Sequence, residues 1–330
     1  MISGVAEDRV RIQFHQQLKT TTQLMIELLG YISRPRPSAS SAILVASTGR
    51  SGSTWLGDML SHGQGVQQVF EPFHPQFNRA VRASIGRFVN ATLYSSVYLR
   101  PQSSDREWVR LSHEMLTGRH RNVWTDQYRT TYLPHRYLVK DIRANLMLGF
   151  IYSHHKPKIV YLVRHPCAVV YSRLRLGWQA NVDSLLCQPS LVEDHLKTFA
   201  HRIEEERDPL GAHSVMWAVE NSVASLQLRS CSHLMVAYED LCLNPKEVLK
   251  GILSWVGLTE DGIPTELIDR PSRTDLNLGA FSRRAERISA WRQGLAHREQ
   301  DRILSWAERF GLTWYGKSEY PILAVSSTGV

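Results

Sequence analysis

Nowhere in the 330-residue chain is there an uninterrupted apolar run approaching about 18 residues, the length that reads as a membrane span. The apolar stretch Leu24–Ile32 is broken by Glu27 and follows a polar, helix-like run, which makes a poor signal peptide. A cytoplasmic, reducing location without a membrane anchor is therefore expected. Cysteine is scarce. The four residues Cys167, Cys187, Cys231 and Cys242 form no CxxC pair and no regular framework, so reduced thiols are expected, with a Cys187–Cys231 bridge as the alternative. The 14 histidines fall at no ligand spacing with these cysteines, so no metal site is expected. Internal repeats are missing, and no GxGxxG follows a strand-like run, which argues against a dinucleotide fold.

What is present describes a globular chain. A hydrophobic content of 43% supports a large core, and 21% charged residues is ordinary for a folded domain. The formal charge of +8 points to an anionic partner: a phosphate-rich cofactor, an acidic polysaccharide, nucleic acid or a membrane surface. An excess spread over a whole chain is also what a solvated surface looks like.

Apolar positions at Val10, Phe14, Leu18, Met25, Leu28 and Leu29 recur with helical period, which predicts a helix over 5–32. The Pro/Ser-rich segment Arg34–Ser41 breaks it. Residues 1–40 thus read as a helical extension and linker, and 41–330 as one domain. Buried-strand runs occur at Ala42–Ser47, Arg136–Val139, Lys158–Val163 and His233–Ala237. Between them lie helical patterns at about 105–117, 144–154, 166–177, 191–206, 212–228 and 245–256. This alternation predicts an α/β fold with a parallel, doubly wound sheet flanked by helices. The aromatic stretch 71–135 has weak periodicity and reads as an insertion shaping an acceptor cleft.

Two segments carry chemistry. After the first strand, Gly49-Arg50-Ser51-Gly52-Ser53-Thr54 offers backbone N–H groups, hydroxyls and a guanidinium at the mouth of a helix, followed by Trp55. Glycines allow close backbone approach to an oxyanion, and the helix N-terminus favours negative charge. A small-residue helix cap is the plainer reading. No Lys precedes Ser53-Thr54, unlike GxxxxGK[ST], so metal-dependent phosphoryl transfer is not indicated. Further on, Tyr161-Leu-Val-Arg164-His-Pro166 delivers Arg164 to a strand end, with Ser172 about two turns into the next helix. Together the two segments suggest a nucleotide with phosphates at two places.

From about Ala42 onward the chain resembles the PAPS-dependent sulfotransferases. TGRSGSTWL is similar to their 5′-phosphosulfate loop, in the Arg-Ser-Gly form of the Golgi carbohydrate and tyrosylprotein enzymes. YLVRHP…S is similar to their 3′-phosphate segment, with Arg164 and Ser172 in the matching positions. Tyr238-Glu-Asp-Leu241 and Trp291-Arg-Gln are supporting likenesses, the latter to the carbohydrate branch (N-acetylglucosamine and galactose 6-O enzymes). His165 stands where the family usually has Asp, a residue that caps or orients the turn. The resemblance implies a single-domain, P-loop-like fold. It also implies PAPS as donor without a metal, and a hydroxyl acceptor, a sugar hydroxyl first and a tyrosine, lipid or small-metabolite hydroxyl otherwise. Nucleic acid is not an expected partner. A P-loop kinase and a non-catalytic polyanion binder are the readings from other classes.

In sulfuryl transfer a hydroxyl attacks sulfur in line while charge builds on the leaving nucleotide. Arg50 and the loop amides (Ser51, Gly52, Ser53, Thr54) suit that charge. The matching region of the family places the proton-accepting carboxylate on Glu71, with His74 as the second candidate. A salt-bridged loop acid is the other reading of Glu71. Lys140 and Arg143 could hold the sulfonate or pair with Asp141 and its neighbours, and Arg283 could close over the 3′-phosphate.

Overall fold

The computed structural model describes residues 37–62, 65–86, 96–129, 131, 134–259, 267–268, 284–322 and 327–329. The helix expected over 5–32 lies outside them. The chain forms β1 (Ile43–Ser47), α1 (Ser53–Ser61), β2 (Val66–Phe70), α2 (Arg79–Ile85), α3 (Arg106–Leu116) and β3 (Arg136–Asp141). It continues with α4 (Leu148–His155), β4 (Lys158–Val163), α5 (Pro166–Arg175), α6 (Pro209–Leu228) and β5 (His233–Ala237). Last come α7 (Tyr238–Leu243), α8 (Pro245–Val256), α9 (His297–Arg309) and β6 (Ser327–Gly329).

The sheet order is β2-β3-β1-β4-β5-β6. The first five strands run parallel, and the expected parallel sheet flanked by helices is what forms. β6 adds an antiparallel edge that the apolar pattern does not announce. Strand side chains alternate between faces. Ile43 and Val45 pack with α1, α7 and α8, while Leu44 and Ala46 pack with α3, α4 and α6. Every residue of β1 is buried. Both faces being covered explains why these strands read as unbroken apolar runs.

Helix starts follow local chemistry. Asp105 caps α3 by accepting from the N–H groups of Glu107 and Trp108. Pro166, Pro209 and Pro245 each occupy a first-turn position, where the missing N–H costs nothing. The segment expected as one helix over 191–206 is instead a π turn, Val192–Leu196, followed by a short helix, Ala200–Glu205. Leu191 and Leu196 are both buried, and their five-residue spacing is too long for one α turn, which the wider π turn accommodates. Glu193 and Asp194 are drawn outward to Arg100. The 144–154 helix is likewise split, into a 3₁₀ turn Ala144–Leu146 and α4. All four cysteines are free thiols, so the Cys187–Cys231 bridge does not form.

The 71–135 segment is the β2–β3 crossover and carries α2 and α3. Trp108 of α3 is 0% exposed and stacks on Phe73 at 6.4 Å, two residues beyond Glu71. Trp108→Ala should therefore cost about 3–5 kcal/mol, read from the urea midpoint at unchanged slope. A cost below about 1 kcal/mol would show that α3 does not brace this segment.

Candidate active site

β1 is central in the sheet, and its carboxyl end opens where ligands bind in open α/β folds. The chain leaves it through a tight turn. Ser51 N–H donates to the Thr48 carbonyl at 3.3 Å, and the Thr48 and Ser51 hydroxyls are 2.9 Å apart. The Ser51 N–H and hydroxyl are thereby engaged inside the turn. The Ser47 hydroxyl donates to Ser53 Oγ at 2.8 Å, fixing the first residue of α1. Gly52, the N-cap, has φ +92°, and a Cβ there would fall 2.5 Å from the Tyr238 ring, so both conformation and space require glycine. Arg50 is also left-handed, with φ +77°, which costs a non-glycine residue about 1–2 kcal/mol. Tertiary contacts hold it: the Arg50 carbonyl accepts from Arg164 Nη1 at 2.9 Å, and Arg50 Nε donates to Ser172 Oγ at 3.0 Å. The two sequence-distant anion segments are therefore one structure.

Arg164 ends β4 with its guanidinium 4.4 Å from the Tyr238 ring centroid. Its Nη2 donates to the Arg287 carbonyl at 2.6 Å, and its Nε is buried without a partner, an orphan donor in a site suited to an anion. His165 takes the capping task expected of it. Its Nδ1 accepts from Cys167 N–H at 3.1 Å and Nε2 bonds the Gly316 carbonyl at 3.0 Å, which fixes the neutral Nε2–H tautomer. Burial holds it neutral, with a pKa lowered to about 4. Trp291 stacks on His165 at 4.4 Å and is buried. Glu239 of the YEDL segment braces the same turn, accepting from His165 N–H at 3.0 Å and from the Tyr315 hydroxyl at 2.7 Å.

Glu71 follows β2, and its N–H donates to the Lys140 carbonyl at 2.7 Å. Its side chain is only 7% exposed and pairs with Lys140 Nζ at 2.5 Å and Arg143 Nη1 at 3.2 Å. Burial alone would raise its pKa; the two cations more than offset this and hold the carboxyl below its ordinary value. Lys140 thus pairs across strands rather than with Asp141. Consecutive residues of β3 point to opposite faces, and Asp141 instead accepts from the N–H groups of Phe73 at 2.9 Å and Arg143 at 2.6 Å. Burial and nearby Glu71 push Asp141 up to about 6. His74 Nδ1 accepts from Gln76 N–H at 3.2 Å, and its ring lies 4.8 Å from Phe77 and 5.4 Å from Trp124.

An open cleft joins these parts. Arg50, Gly52, Ser53, Thr54, Trp55, Arg164, Glu71 and Lys140 line it, together with Ile142, Trp178, Tyr238 and Arg287. Ser51, Ser172, His74 and Arg143 are not among the lining residues, although Ser172 and Arg143 each touch one that is. Arg283 lies outside the described residues; Arg287, four residues on in the sequence, lines the cleft. Trp55 staples α1 through Nε1 to the Leu267 carbonyl at 3.1 Å. Among the described residues, no group of three or more His, Cys, Asp or Glu side chains could hold a metal, and no helix is long and apolar enough to cross a membrane.

The fold is thus an α/β sheet in which the turns after β1 and β4 are hydrogen-bonded to each other, with the buried carboxylate of Glu71 lining the same cleft. The model for the sulfotransferase family matches residues 42–262, and the chain belongs to that family and is a sulfotransferase. No curated protein matches it. Among solved structures it is similar to the sulfotransferase domain of the curacin biosynthetic pathway, at 15% identity, covering 84% of this chain and 99% of that one, with a TM-score of 0.49. It is also similar to a sulfotransferase from Alicyclobacillus acidocaldarius, at 12% identity and 84% and 97% coverage, TM-score 0.39. A third is retinol dehydratase in complex with androsterone and PAP, at 15% identity and 83% and 82% coverage, TM-score 0.39.

Four buried histidines set an acid limit on this arrangement. Burial lowers His74 to about 3 and His155, His165 and His213 to about 4. In the unfolded chain they protonate near 6.5, so unfolding takes up protons below that pH. Their contribution is fully present above 6.5 and is lost as pH falls from 6.5 towards 4. Asp141 acts in the opposite sense, but only near and below 6. The urea midpoint should therefore fall on going from about pH 7.5 to about pH 6. A flat or rising midpoint would mean that these histidines are protonated in the fold or that Glu220 and Glu239, which burial also raises, outweigh them.

Proposed function

We propose that the protein transfers a sulfuryl group from PAPS to a hydroxyl acceptor, with Arg50 and the 49–54 turn at the 5′-phosphosulfate, Arg164 and Ser172 at the 3′-phosphate, and Glu71 as general base. The observation that carries this reading is the Arg164–Arg50 carbonyl bond, which joins both anion turns beside a cleft that Glu71 also enters. The orphaned Arg164 Nε fits a phosphate oxygen, and the Gly52-capped α1 fits a second anion. Glu71 is ionised at neutral pH because Lys140 and Arg143 hold it so, and it can take the acceptor proton. As the acceptor oxygen bonds to sulfur, the bond from sulfur to the bridging oxygen breaks. The electron pair then leaves with 3′,5′-ADP. Arg50 and Lys140 face the charge that develops on that oxygen.

A sugar hydroxyl is the acceptor class we favour. Trp178 lines the cleft at 37% exposure, a flat aromatic face of the kind on which a sugar ring stacks. Other aromatics in the sequence serve elsewhere. Phe73 and Trp108 are core residues, and Tyr98 donates to Asp194 at 2.8 Å. Phe77 stacks on Trp124 at 4.0 Å, and Trp124 Nε1 donates to the Glu71 carbonyl at 3.3 Å, so this pair braces the base.

The donor assignment is tested by melting shifts. 3′,5′-ADP should stabilise the protein far more than 5′-ADP, AMP or ATP, by about 2.7 kcal/mol at a hundredfold excess over Kd. Equal shifts for 3′,5′-ADP and ATP would remove the two-phosphate reading.

The base is tested by Glu71→Gln and Glu71→Asp. Loss of the proton acceptor in Glu71→Gln should lower kcat by about 10²–10⁴-fold with the 3′,5′-ADP Kd little changed. Glu71→Asp keeps the charge opposite Lys140 and controls for the destabilisation that a broken buried pair causes. Sulfated product, identified by mass over a panel of glycan, phenol and lipid alcohols, names the acceptor. Near-wild-type turnover in Glu71→Gln would exclude Glu71, and an equal loss in His74→Ala would move the role there.

A further inference from the structure

Beneath the cleft, where α5 meets α6, three polar side chains are buried that the mechanism above leaves without a task. Arg173 is 5% exposed, Glu220 5% and His213 2%. Arg173 Nε donates to the Gly49 carbonyl at 3.2 Å. Its Nη2 lies 3.5 Å from Glu220 Oε2, an oxygen with no hydrogen bond. His213 Nε2 bonds the Trp178 carbonyl at 3.0 Å, and Trp178 N–H donates to the Arg173 carbonyl at 3.0 Å. Burying an ion pair is costly, and well-packed apolar residues often stabilise a fold as well or better. A stability role alone therefore accounts poorly for this pair.

The loop supplies a reason. A turn that presents N–H groups to an anion sends its carbonyls the other way, and buried carbonyls need donors. Two successive carbonyls, of Gly49 and the left-handed Arg50, each receive an arginine, Arg173 from α5 and Arg164 from the end of β4. Trp178 closes over the same peptide: a Cβ on Gly49 would fall 2.8 Å from its ring. Arg164 serves the 3′ side as well, whereas the Arg173 guanidinium meets the Gly49 carbonyl and Glu220.

We propose that Arg173, neutralised by Glu220, is a positioning residue for the 5′ end of the donor nucleotide. It holds the Gly49–Arg50 peptide so that the loop faces the 5′-phosphosulfate, and it leaves the 3′-phosphate contacts alone. The proposal rests on the two-phosphate reading above.

The test compares Kd values for 3′,5′-ADP and adenosine 3′-monophosphate, which differ only in the 5′-phosphate. In the native protein 3′,5′-ADP should bind much more tightly; no preference there would defeat the nucleotide reading itself. The double variant Arg173→Met, Glu220→Met removes the pair without stranding a buried charge, so it should fold even where Arg173→Met alone does not. That variant should lose about tenfold of the preference, the scale of one hydrogen bond to a charged donor, with adenosine 3′-monophosphate affinity nearly unchanged. Arg173→Lys, which keeps a cation opposite Glu220 and one donor for Gly49, should regain part of it. A merely structural pair would lower the melting temperature and weaken both nucleotides alike, leaving their ratio intact. An unchanged ratio in the double variant overturns the proposal.

Discussion

The site depends on where the backbone carbonyls of a single turn go. At the end of β1 the chain must reverse into α1 within a few residues, and it does so with Arg50 and Gly52 both left-handed. Glycine takes that conformation at little cost and arginine does not. The strain at Arg50 persists because β4 and α5 close on it from the far side, through Arg164 and Ser172. The neighbouring strands thus build the loop as much as the loop's own residues do. This explains how two segments more than a hundred residues apart are joined into one structure.

Charge is distributed unevenly around the cleft. Arg50, Lys140, Arg164 and Arg287 line it against a single carboxylate, Glu71. Such a site favours a ligand that brings several negative charges and disfavours a neutral one. Glu71 is held ionised by the same cations, which in its proposed role would make it a ready but weak base. That suits a reaction in which the attacking hydroxyl becomes acidic only as its bond to sulfur forms. A stronger base would be protonated over part of the neutral range.

Much of this was legible in the sequence because the parallel strands are covered on both faces. The runs AILVAS, KIVYLV and HLMVA needed no periodicity to be read, and the turns that follow the first two carry Arg50 and Arg164. β6 was not legible: Ser327–Gly329 has no apolar signal, and its place is set by the open edge of β5. Of the two sequence readings of Lys140, a pair with Asp141 does not form, since adjacent residues of a strand put their side chains on opposite faces. The actual partner, Glu71, follows a neighbouring strand and lies 69 residues away in the chain. Arg173, Glu220 and His213 were invisible for a related reason. A charged residue in a helical pattern reads as surface, and only the packing of α5 on α6 turns these inward.

The family's usual Asp at position 165 poses a question that His165 answers chemically. A helix N-cap needs an acceptor for the first-turn N–H groups, and a carboxylate supplies one together with a negative charge. His165 supplies the acceptor through Nδ1 and spends its remaining proton on the Gly316 carbonyl, so the cap is neutral. Neutrality matters for the proposed function because Arg164, the next residue back, is there assigned to the 3′-phosphate. An Asp cap would pair partly with that guanidinium and with the approaching phosphate would repel. The neutral ring avoids both effects and gains a stacking surface in Trp291. The buried Glu239 beside it is satisfied by the His165 main-chain N–H and the Tyr315 hydroxyl.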